Sequence, residues 1–326
     1  MNPVGVTNTK TITSHNGLLS FLVNIHLTMN KKDRAAKLLR IGEELMNKKE
    51  YTEGLSLWRE AATMGNVDAQ YNLGVCYNNG IGVEADNSEA ARWWTMAAEQ
   101  GDITSQYNVG MLYRQGVGVE QDYARSMEWL AKAAEQGDPD AEYELGNFYD
   151  NAWGVAQDYH KMMEHYKAAA EKGHPKSQAI VGLFYYENES YPEAAEWLRK
   201  SADQGYADGQ YYLARCYRYG HGVEQNAEEE AAYFQKAARQ GHLDAQVELG
   251  QCYLNGTGVE CDLSMAAQCF KMAAEQGDGE AQVITACMYE GGLGVEADMA
   301  EATFWYKQAA AQGNKSAQEW LASKLN

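Results

Sequence analysis

The sequence predicts an all-α fold, an α/α superhelical solenoid of helical hairpins with a 36-residue period. Two observations lead to this prediction. A glycine returns at each junction between units, and a tyrosine follows it at position 12 when that glycine is numbered zero. A period of this length is typical of stacked hairpins, because one hairpin cannot bury its apolar face without a neighbour. The junction glycines are Gly65, Gly101, Gly137, Gly173, Gly205, Gly241, Gly277 and Gly313, and the tyrosines are Tyr77, Tyr113, Tyr149, Tyr185, Tyr217, Tyr253 and Tyr289.

Each unit begins with a first helix, and we expect positions 4, 8 and 12 to form its buried stripe because they share one helical face. Position 9 is glycine or alanine in every unit. Glycine inside a helix costs about 1 kcal/mol relative to alanine, so its recurrence predicts a place where two helices approach closely. The residues at position 9 are Gly74, Gly110, Gly146, Gly182, Ala214, Gly250 and Ala286.

A second helix follows, with large apolar residues ahead of two small ones, as in Trp93, Trp94, Ala97 and Ala98. A loop of the form G-x-G-V connects the two helices in most full-length units, and residues 152–155 are a variant of it. We expect its glycines to adopt positive φ and its valine to pack under the loop. An Asp or Asn then occupies the place of an N-cap, at Asp86, Asp122, Asp158, Asn226, Asp262 and Asp298.

These residues together form the pattern A-x-x-x-L-G-x-x-Y-x-x-G-x-G-V-x-x-D-x-x-x-A-x-x-W-x-x-x-A-A-x-Q-G, which resembles the Sel-1-like repeat. That family is similar to tetratricopeptide proteins, with a longer loop between the two helices. The resemblance covers residues 65–326. It implies an α/α superhelix that serves as a scaffold for protein complexes.

The repeat pattern divides the chain into three segments. Residues 1–32 lack the repeat, residues 33–64 form a shortened capping hairpin, and residues 65–326 form the solenoid, with a shortened unit at 173–204 and a capping helix at 314–326. The first 28 residues lack the small-residue cleavage site of a secretory signal. Because Met29 is followed at once by the polar segment NKKDR and then by a helix, we expect translation to start at Met29 and the leader to be disordered or not translated.

Composition limits the classes of partner. The chain has 46 acidic and 27 basic residues and a net charge of −19, which disfavours nucleic acid and anionic membranes because both require a positive surface. No apolar run approaches the roughly 20 residues of a membrane span. A protein or peptide partner is the remaining expectation, and the sequence leaves the oligomeric state open.

The six cysteines favour a reducing compartment. Cys76, Cys216 and Cys252 share position 11, where a small buried residue fits. The resemblance implies regularly spaced disulfides in some secreted relatives, whereas most units here lack a second cysteine. We expect a cytoplasmic location, with a secreted or periplasmic one still open if residues 1–28 act as a signal. Pairing of Cys252 with Cys269 across one hairpin also stays open.

Candidate catalytic and metal-binding groups are few. His160 and His165 are five residues apart and point about 140° apart on a helix, unlike the i, i+4 pair of a zinc protease. We therefore place them and Glu164 on the surface. Some relatives in the family that the chain resembles are described as β-lactamases, but the chain contains no S-x-x-K, S-D-N or K-T-G motif. The sequence predicts no catalytic residue, metal ligand or cofactor, and leaves β-lactam hydrolysis as a disfavoured alternative.

A row of tyrosine and arginine on the first helices is the candidate binding site. Positions 3, 6, 10 and 13 lie opposite the buried stripe, and we expect first helices to line the concave surface of a solenoid. Tyrosine and arginine are typical of interface hot spots, and arginine in so acidic a chain suggests a ligand with acidic or phosphorylated groups. The candidate residues are Tyr71, Tyr107, Met111, Arg114, Tyr143, Leu183, Tyr186, Tyr211, Arg215 and Arg218.

The prediction is therefore a non-catalytic protein–protein interaction scaffold that binds a partner along this surface. Two alternatives remain open. Position 6 can instead pack against the neighbouring hairpin, because helical phase drifts across a stack. The protein can also be a secreted or envelope-associated member that acts on a host or cell-envelope complex.

Overall fold

The computed structural model describes residues 29–324, which fall into two compact units, one ending at Ala141 and the other beginning at Glu142. These residues form 17 helices and no strand. The predicted fold class, an all-α solenoid of helical hairpins, is confirmed. The predicted leader at 1–28 and the last two residues of the predicted capping helix lie outside the described residues.

First and second helices of the hairpins alternate along both compact units, which we call the first and second compact unit to distinguish them from the repeat units. The first compact unit contains α1 (Lys31–Asn47), α2 (Tyr51–Thr63), α3 (Val67–Asn79), α4 (Asn87–Glu99), α5 (Ile103–Gln115) and α6 (Tyr123–Glu135). The border between the units falls inside α7 (Pro139–Asp150). The second compact unit continues with α8 (Tyr159–Glu171), α9 (Pro175–Glu187), α10 (Tyr191–Asp203), α11 (Ala207–Tyr219), α12 (Ala227–Arg239), α13 (Leu243–Asn255), α14 (Leu263–Glu275), α15 (Gly279–Gly291), α16 (Met299–Ala311) and α17 (Lys315–Lys324).

The predicted N-caps of the second helices are confirmed. In each case the Asp or Asn side chain accepts a hydrogen bond from a backbone N–H in the first turn, as Asp86 does from Ser88 and Glu89 at 2.9 and 3.0 Å. These bonds satisfy donors that have no partner inside the helix. The same arrangement occurs at Asp122, Asp158, Asn226, Asp262 and Asp298.

The second glycine of the G-x-G-V loop has a role that reaches beyond its own hairpin. Gly258 has φ of 68° and lies directly against the backbone carbonyl of Ala227, the first residue of the preceding second helix. A Cβ atom at Gly258 would overlap that carbonyl oxygen, so both the turn and the contact require glycine. Gly222 and Gly294 meet Tyr191 and Leu263 in the same way.

Small and large residues interlock within each hairpin. The glycine of position 9 in the first helix lies under a large side chain of the second helix, which confirms the predicted close approach. A Cβ at Gly250, for example, would lie 2.9 Å from the ring of Phe270. The corresponding pairs are Gly42 with Trp58, Gly74 with Trp94, Gly110 with Leu130, Gly146 with Tyr166, and Gly182 with Leu198.

The prediction that the tyrosines of position 12 are buried is wrong. All seven are partly exposed, and several hydroxyls contact a side chain of the preceding second helix, as Tyr77 does with Arg59 at 2.7 Å. Position 11 is buried instead in six units, by Cys76, Leu112, Phe148, Cys216, Cys252 and Met288, whereas Phe184 of the shortened unit is exposed. A helix turns about 100° per residue, so positions 4, 8 and 11 lie at the centre of the apolar stripe and position 12 lies at its edge.

A glutamine at position 5 also connects neighbouring helices in six of the repeat units, a feature that the sequence prediction missed. Gln70 is buried, donates to the carbonyl of Ala62 at 3.0 Å and accepts from the Nε2 of Gln100 at 2.7 Å. These bonds satisfy a buried polar side chain and join the start of the first helix to the ends of two second helices, the one before it and the one after it. The same pair occurs as Gln106 with Gln136, Gln178 with Gln204, Gln210 with Gln240, Gln246 with Gln276, and Gln282 with Gln312.

One hairpin replaces this amide pair with charged groups. Glu142 occupies position 5 and accepts from Lys172 at 2.9 Å, while the Nδ1 of His165 lies 2.9 Å from its other oxygen. Burial alone would raise the pKa of Glu142, but the hydrogen bonds from His165 and Lys172 outweigh it and lower that pKa. His165, which the sequence placed on the surface, is only 28% exposed. His160 does lie on the surface, 4.0 Å from Glu164.

We expect Gly110→Leu to destabilise the hairpin of α5 and α6 by about 1–3 kcal/mol, because overpacking forces neighbouring atoms to move. A Cβ at Gly110 would lie 2.7 Å from the Cγ of Leu130 and 3.3 Å from the carbonyl oxygen of Ser126. Urea unfolding followed by circular dichroism measures the loss. Gln115→Leu is the control, since it adds the same side chain at an exposed end of the same helix. Equal midpoints for both variants and the wild type would contradict the close approach.

Candidate partner-binding surface on the first helices

In the second compact unit, the tyrosines of position 6 pack against the first helix of the following hairpin. Tyr143 stacks on His174 with ring centroids 4.6 Å apart, and Tyr211 stacks on His242 at 4.5 Å. Each of these histidines is the N-cap of the following first helix. Tyr211 is 8% exposed and Tyr143 is partly exposed. The packing alternative therefore describes both rings, and only part of each is open to a ligand.

The predicted binding residues of the first compact unit lie on two of its first helices, α3 and α5. Tyr71 packs against the apolar cluster that contains Trp94, whose indole N–H donates to the Tyr71 carbonyl at 3.2 Å. Tyr107, Met111 and Arg114 lie on α5 and are all partly exposed. These side chains all belong to the first compact unit, which ends at Ala141.

A cluster around Arg215 brings together the other predicted residues. Its guanidinium carbon lies 5.5 Å from the ring centroid of Tyr186 and 5.9 Å from those of Tyr211 and Tyr212. Tyr186 lies on α9, whereas the other residues lie on α11, and the two helices pack directly against each other. Cation–π contacts of this kind hold an arginine in place without using its N–H donors. We call Arg215, Tyr186, Tyr211 and Tyr212 the Arg215 cluster.

A loop histidine supports the edge of the Arg215 cluster. His221, the variable residue of its G-x-G-V loop, stacks on Tyr191 with centroids 3.8 Å apart and an interplanar angle of 14°. Its Nδ1 lies 3.1 Å from the hydroxyl of Tyr186. The hairpin of α9 and α10 lacks the G-x-G-V loop, so Tyr191 follows its first helix after a short turn and lies beneath the next loop. The shortened unit thereby positions Tyr186.

The phenols of the Arg215 cluster remain protonated. Burial raises the pKa of Tyr211 to about 12, although Arg215 opposes that effect. Burial likewise raises the pKa of Tyr186 and of Tyr212, and the positive charge of Arg215 offsets only part of that rise. Neutral hydroxyls can donate as well as accept a hydrogen bond, so the cluster offers O–H donors beside a cation.

Arg215 and Arg218 differ in their partners. Arg218 donates to Glu230 at 2.7 Å and to Glu248 at 2.8 Å, and its guanidinium lies over the ring of Phe234. Arg215 has no carboxylate within 4.0 Å among residues 29–324 and makes only the ring contacts. Arg218 therefore joins two hairpins internally, whereas the donors of Arg215 are available to a ligand.

The sequence prediction missed three residues of this surface. Tyr212, Tyr191 and His221 lie at positions 7, 18 and 16 of their units, whereas the predicted row consists of positions 3, 6, 10 and 13. Tyr186 and Tyr191 flank the short turn that replaces the loop, and this aromatic pair is the sequence feature that could have indicated the site. Leu183 is partly exposed on α9.

Within residues 29–324, no three His, Cys, Asp or Glu side chains are grouped as metal ligands. No helix in that range combines the length and apolar character that crossing a membrane requires.

The repeat units match a known family model. The Sel1 repeat model matches seven consecutive segments, at residues 67–102, 103–138, 139–174, 175–206, 207–242, 243–278 and 279–314. The chain belongs to the Sel1 repeat family. Members of this family are generally scaffolds for protein–protein interaction. No curated protein matched the chain.

Solved Sel1 repeat structures are similar along most of this chain. A protective antigen of uropathogenic Escherichia coli that displays an SLR fold is 32% identical, with a TM-score of 0.81 over 94% of this chain. The alignment covers 66% of that antigen, so this chain spans just under two thirds of its length. A Sel1 repeat protein from Oxalobacter formigenes is 31% identical with a TM-score of 0.73, and the alignment covers 100% of this chain and 98% of that one.

The Sel1 pattern leaves the residues of the Arg215 cluster unspecified. Tyr211, Tyr212 and Arg215 occupy positions 6, 7 and 10, Tyr186 occupies position 13 and His221 occupies position 16. Positions 7, 10, 13 and 16 vary from unit to unit, whereas position 6 is often tyrosine and Tyr211 belongs to a buried apolar cluster. The Sel1 fold thus does not require Tyr212, Arg215 or Tyr186, and the identity of these side chains is free to serve binding.

Proposed function

We propose that this Sel1 repeat protein is a non-catalytic scaffold that binds a partner protein along the first helices of its second compact unit. The observation that carries the proposal is the Arg215 cluster, where tyrosine rings hold an arginine that lacks a carboxylate partner in the described chain. Arginine and tyrosine are enriched in interface hot spots because they combine a large contact area with directional hydrogen bonds.

The surface near the Arg215 cluster extends along α7, α9 and α11. Tyr143 on α7 lies under Lys176, whose ammonium is 5.0 Å from its ring centroid. Leu183 and Tyr186 on α9 and Tyr212 on α11 are partly exposed. An extended segment of about ten residues would span these three first helices, since extended chain rises about 3.3 Å per residue and neighbouring helices lie about 10 Å apart.

A pull-down with full-length protein tests the proposal. The face variant combines Tyr143→Ala, Tyr186→Ala and Arg215→Glu, and the matched control combines Lys167→Ala, Arg239→Glu and Gln268→Ala at exposed positions of the second helices. Circular dichroism melts first establish that the baits are equally stable. We expect the partners recovered with the wild type and the control to be lost with the face variant. Recovery of the same partners with all three baits would refute the proposed surface.

The cytoplasmic location stays a prediction. All six cysteines are free, and Cys76, Cys216, Cys252 and Cys269 are buried as thiols. Unpaired cysteines are typical of proteins in reducing compartments, which supports the prediction. Fractionation of native cells tests it, and recovery of the protein in the secreted fraction would favour the envelope alternative.

A further inference from the structure

The guanidinium of Arg215 has donors for a planar acceptor. Its contacts within the described chain are with the faces of Tyr186, Tyr211 and Tyr212, and ring contacts leave the N–H groups unused. A carboxylate accepts two parallel N–H bonds from such a fork. The ring of Tyr186 lies 5.5 Å from the guanidinium carbon, and its hydroxyl is 3.1 Å from the Nδ1 of His221.

The charge available at this site is one positive charge. Arg218, three residues away on the same helix, is neutralised by Glu230 and Glu248 at 2.7 and 2.8 Å. A phosphate group carries a charge of about −1.5 to −2 at neutral pH, which exceeds what one arginine offsets. A carboxylate carries a single charge and matches Arg215.

The rim of the site is acidic. Glu187 follows Tyr186 at the end of α9 and Asp244 lies in the first turn of α13, and both are exposed. Asp208 lies one turn before Tyr212 on α11 and is 3.6 Å from the Nε2 of His242. Such a rim repels a dianion more strongly than a monoanion, and it attracts basic side chains on either side of the bound group. The favoured segment is therefore positively charged overall and carries one acidic group in its middle or at its C-terminus.

We propose that the Arg215 cluster is a subsite for one carboxylate of a basic peptide segment, with the Arg215 guanidinium bound to the carboxylate and the acidic rim bound to flanking Lys or Arg. This inference rests on the proposed scaffold function and specifies the chemistry of its partner. A phosphorylated segment is the competing ligand that the charges disfavour.

A peptide library tests the subsite. Random peptides of about ten residues, long enough to span three first helices, are panned against the full-length protein. We expect the enriched peptides to carry one Asp, Glu or free C-terminal carboxylate among Lys or Arg. The best peptide is then made with Asp→Asn and with phosphoserine at the same place, and its affinity is measured by fluorescence anisotropy.

The expected result is a loss of affinity of at least about tenfold for the Asp→Asn peptide on the wild-type protein, the size of one charge-assisted bidentate contact. On Arg215→Met the two peptides should bind equally, and Arg215→Lys should fall between. Arg199→Met is the matched control, because Arg199 also contacts a tyrosine, donating to the Tyr217 hydroxyl at 3.1 Å, but from α10. It should keep the wild-type preference.

Four results would overturn the subsite: no enriched peptide, enriched peptides without an acidic group, equal binding to the wild type and Arg215→Met, or tighter binding of the phosphoserine peptide. The pull-down with the face variant tests the proposed function independently. If partners are lost with the face variant but bind Arg215→Met as tightly as the wild type, the subsite is refuted and the scaffold function is supported.

Discussion

Phe270→Ala is expected to lower the free energy of unfolding by about 3–5 kcal/mol, the range measured when a buried aromatic ring is removed. Phe270 is fully buried on α14, above Gly250 of α13 and among Ala266, Ala267 and Met288. Gly250 cannot fill the space that the ring leaves, so the variant keeps a cavity. Urea unfolding monitored by circular dichroism gives the loss.

Phe270→Leu is the matched control for that cavity. Leu130 and Leu198 occupy the corresponding place in other hairpins, each above its own glycine, so leucine is compatible with the site. We expect the leucine variant to lose clearly less stability than the alanine variant, because part of the volume is retained. A Phe270→Ala protein that unfolds at the wild-type urea concentration would show that the ring is not needed for the interlock.

Arg218→Met is expected to cost about 3 kcal/mol, near the lower end of values for breaking a buried ion pair, since the arginine side chain is 24% exposed. Burial lowers the pKa of Arg218, but the hydrogen bonds to Glu230 and Glu248 outweigh it and raise that pKa above its usual value. Removing the cation leaves Glu230, with 5% of its side chain exposed, without its charge partner.

A double-mutant cycle separates that loss from lost packing. Adding Glu230→Gln to Arg218→Met removes the uncompensated carboxylate, and we expect it to restore most of the lost stability. Arg215→Met is the second comparison, because Arg215 has no carboxylate within 4.0 Å in the described chain; its loss should be about 1 kcal/mol, the size of a cation–π contact. Equal losses for both arginines would contradict the assigned ion pair.

The repeat made most of the fold predictable. The hairpins, the N-caps from Asp86 onward, the positive-φ loop glycines and the interlock of Gly110 with Leu130 all depend on residues of one unit or of its neighbour. Contacts of that kind recur at every turn of the stack, so a column of similar residues reveals them. The glutamine at position 5 recurs in the same way, so the sequence also contains the signal for the amide pair.

The sequence by itself therefore determined the hairpin, its period and its family. The tertiary structure decided which variable positions meet. Arg215 and Tyr186 come together across two hairpins because the unit between Gly173 and Gly205 lacks the connecting loop, which brings α9 against α11. The structure also decided that Arg218 is paired and Arg215 is not, although both are arginines on one helix. Direction and distance of side chains determine such pairings, and spacing along the chain contains neither.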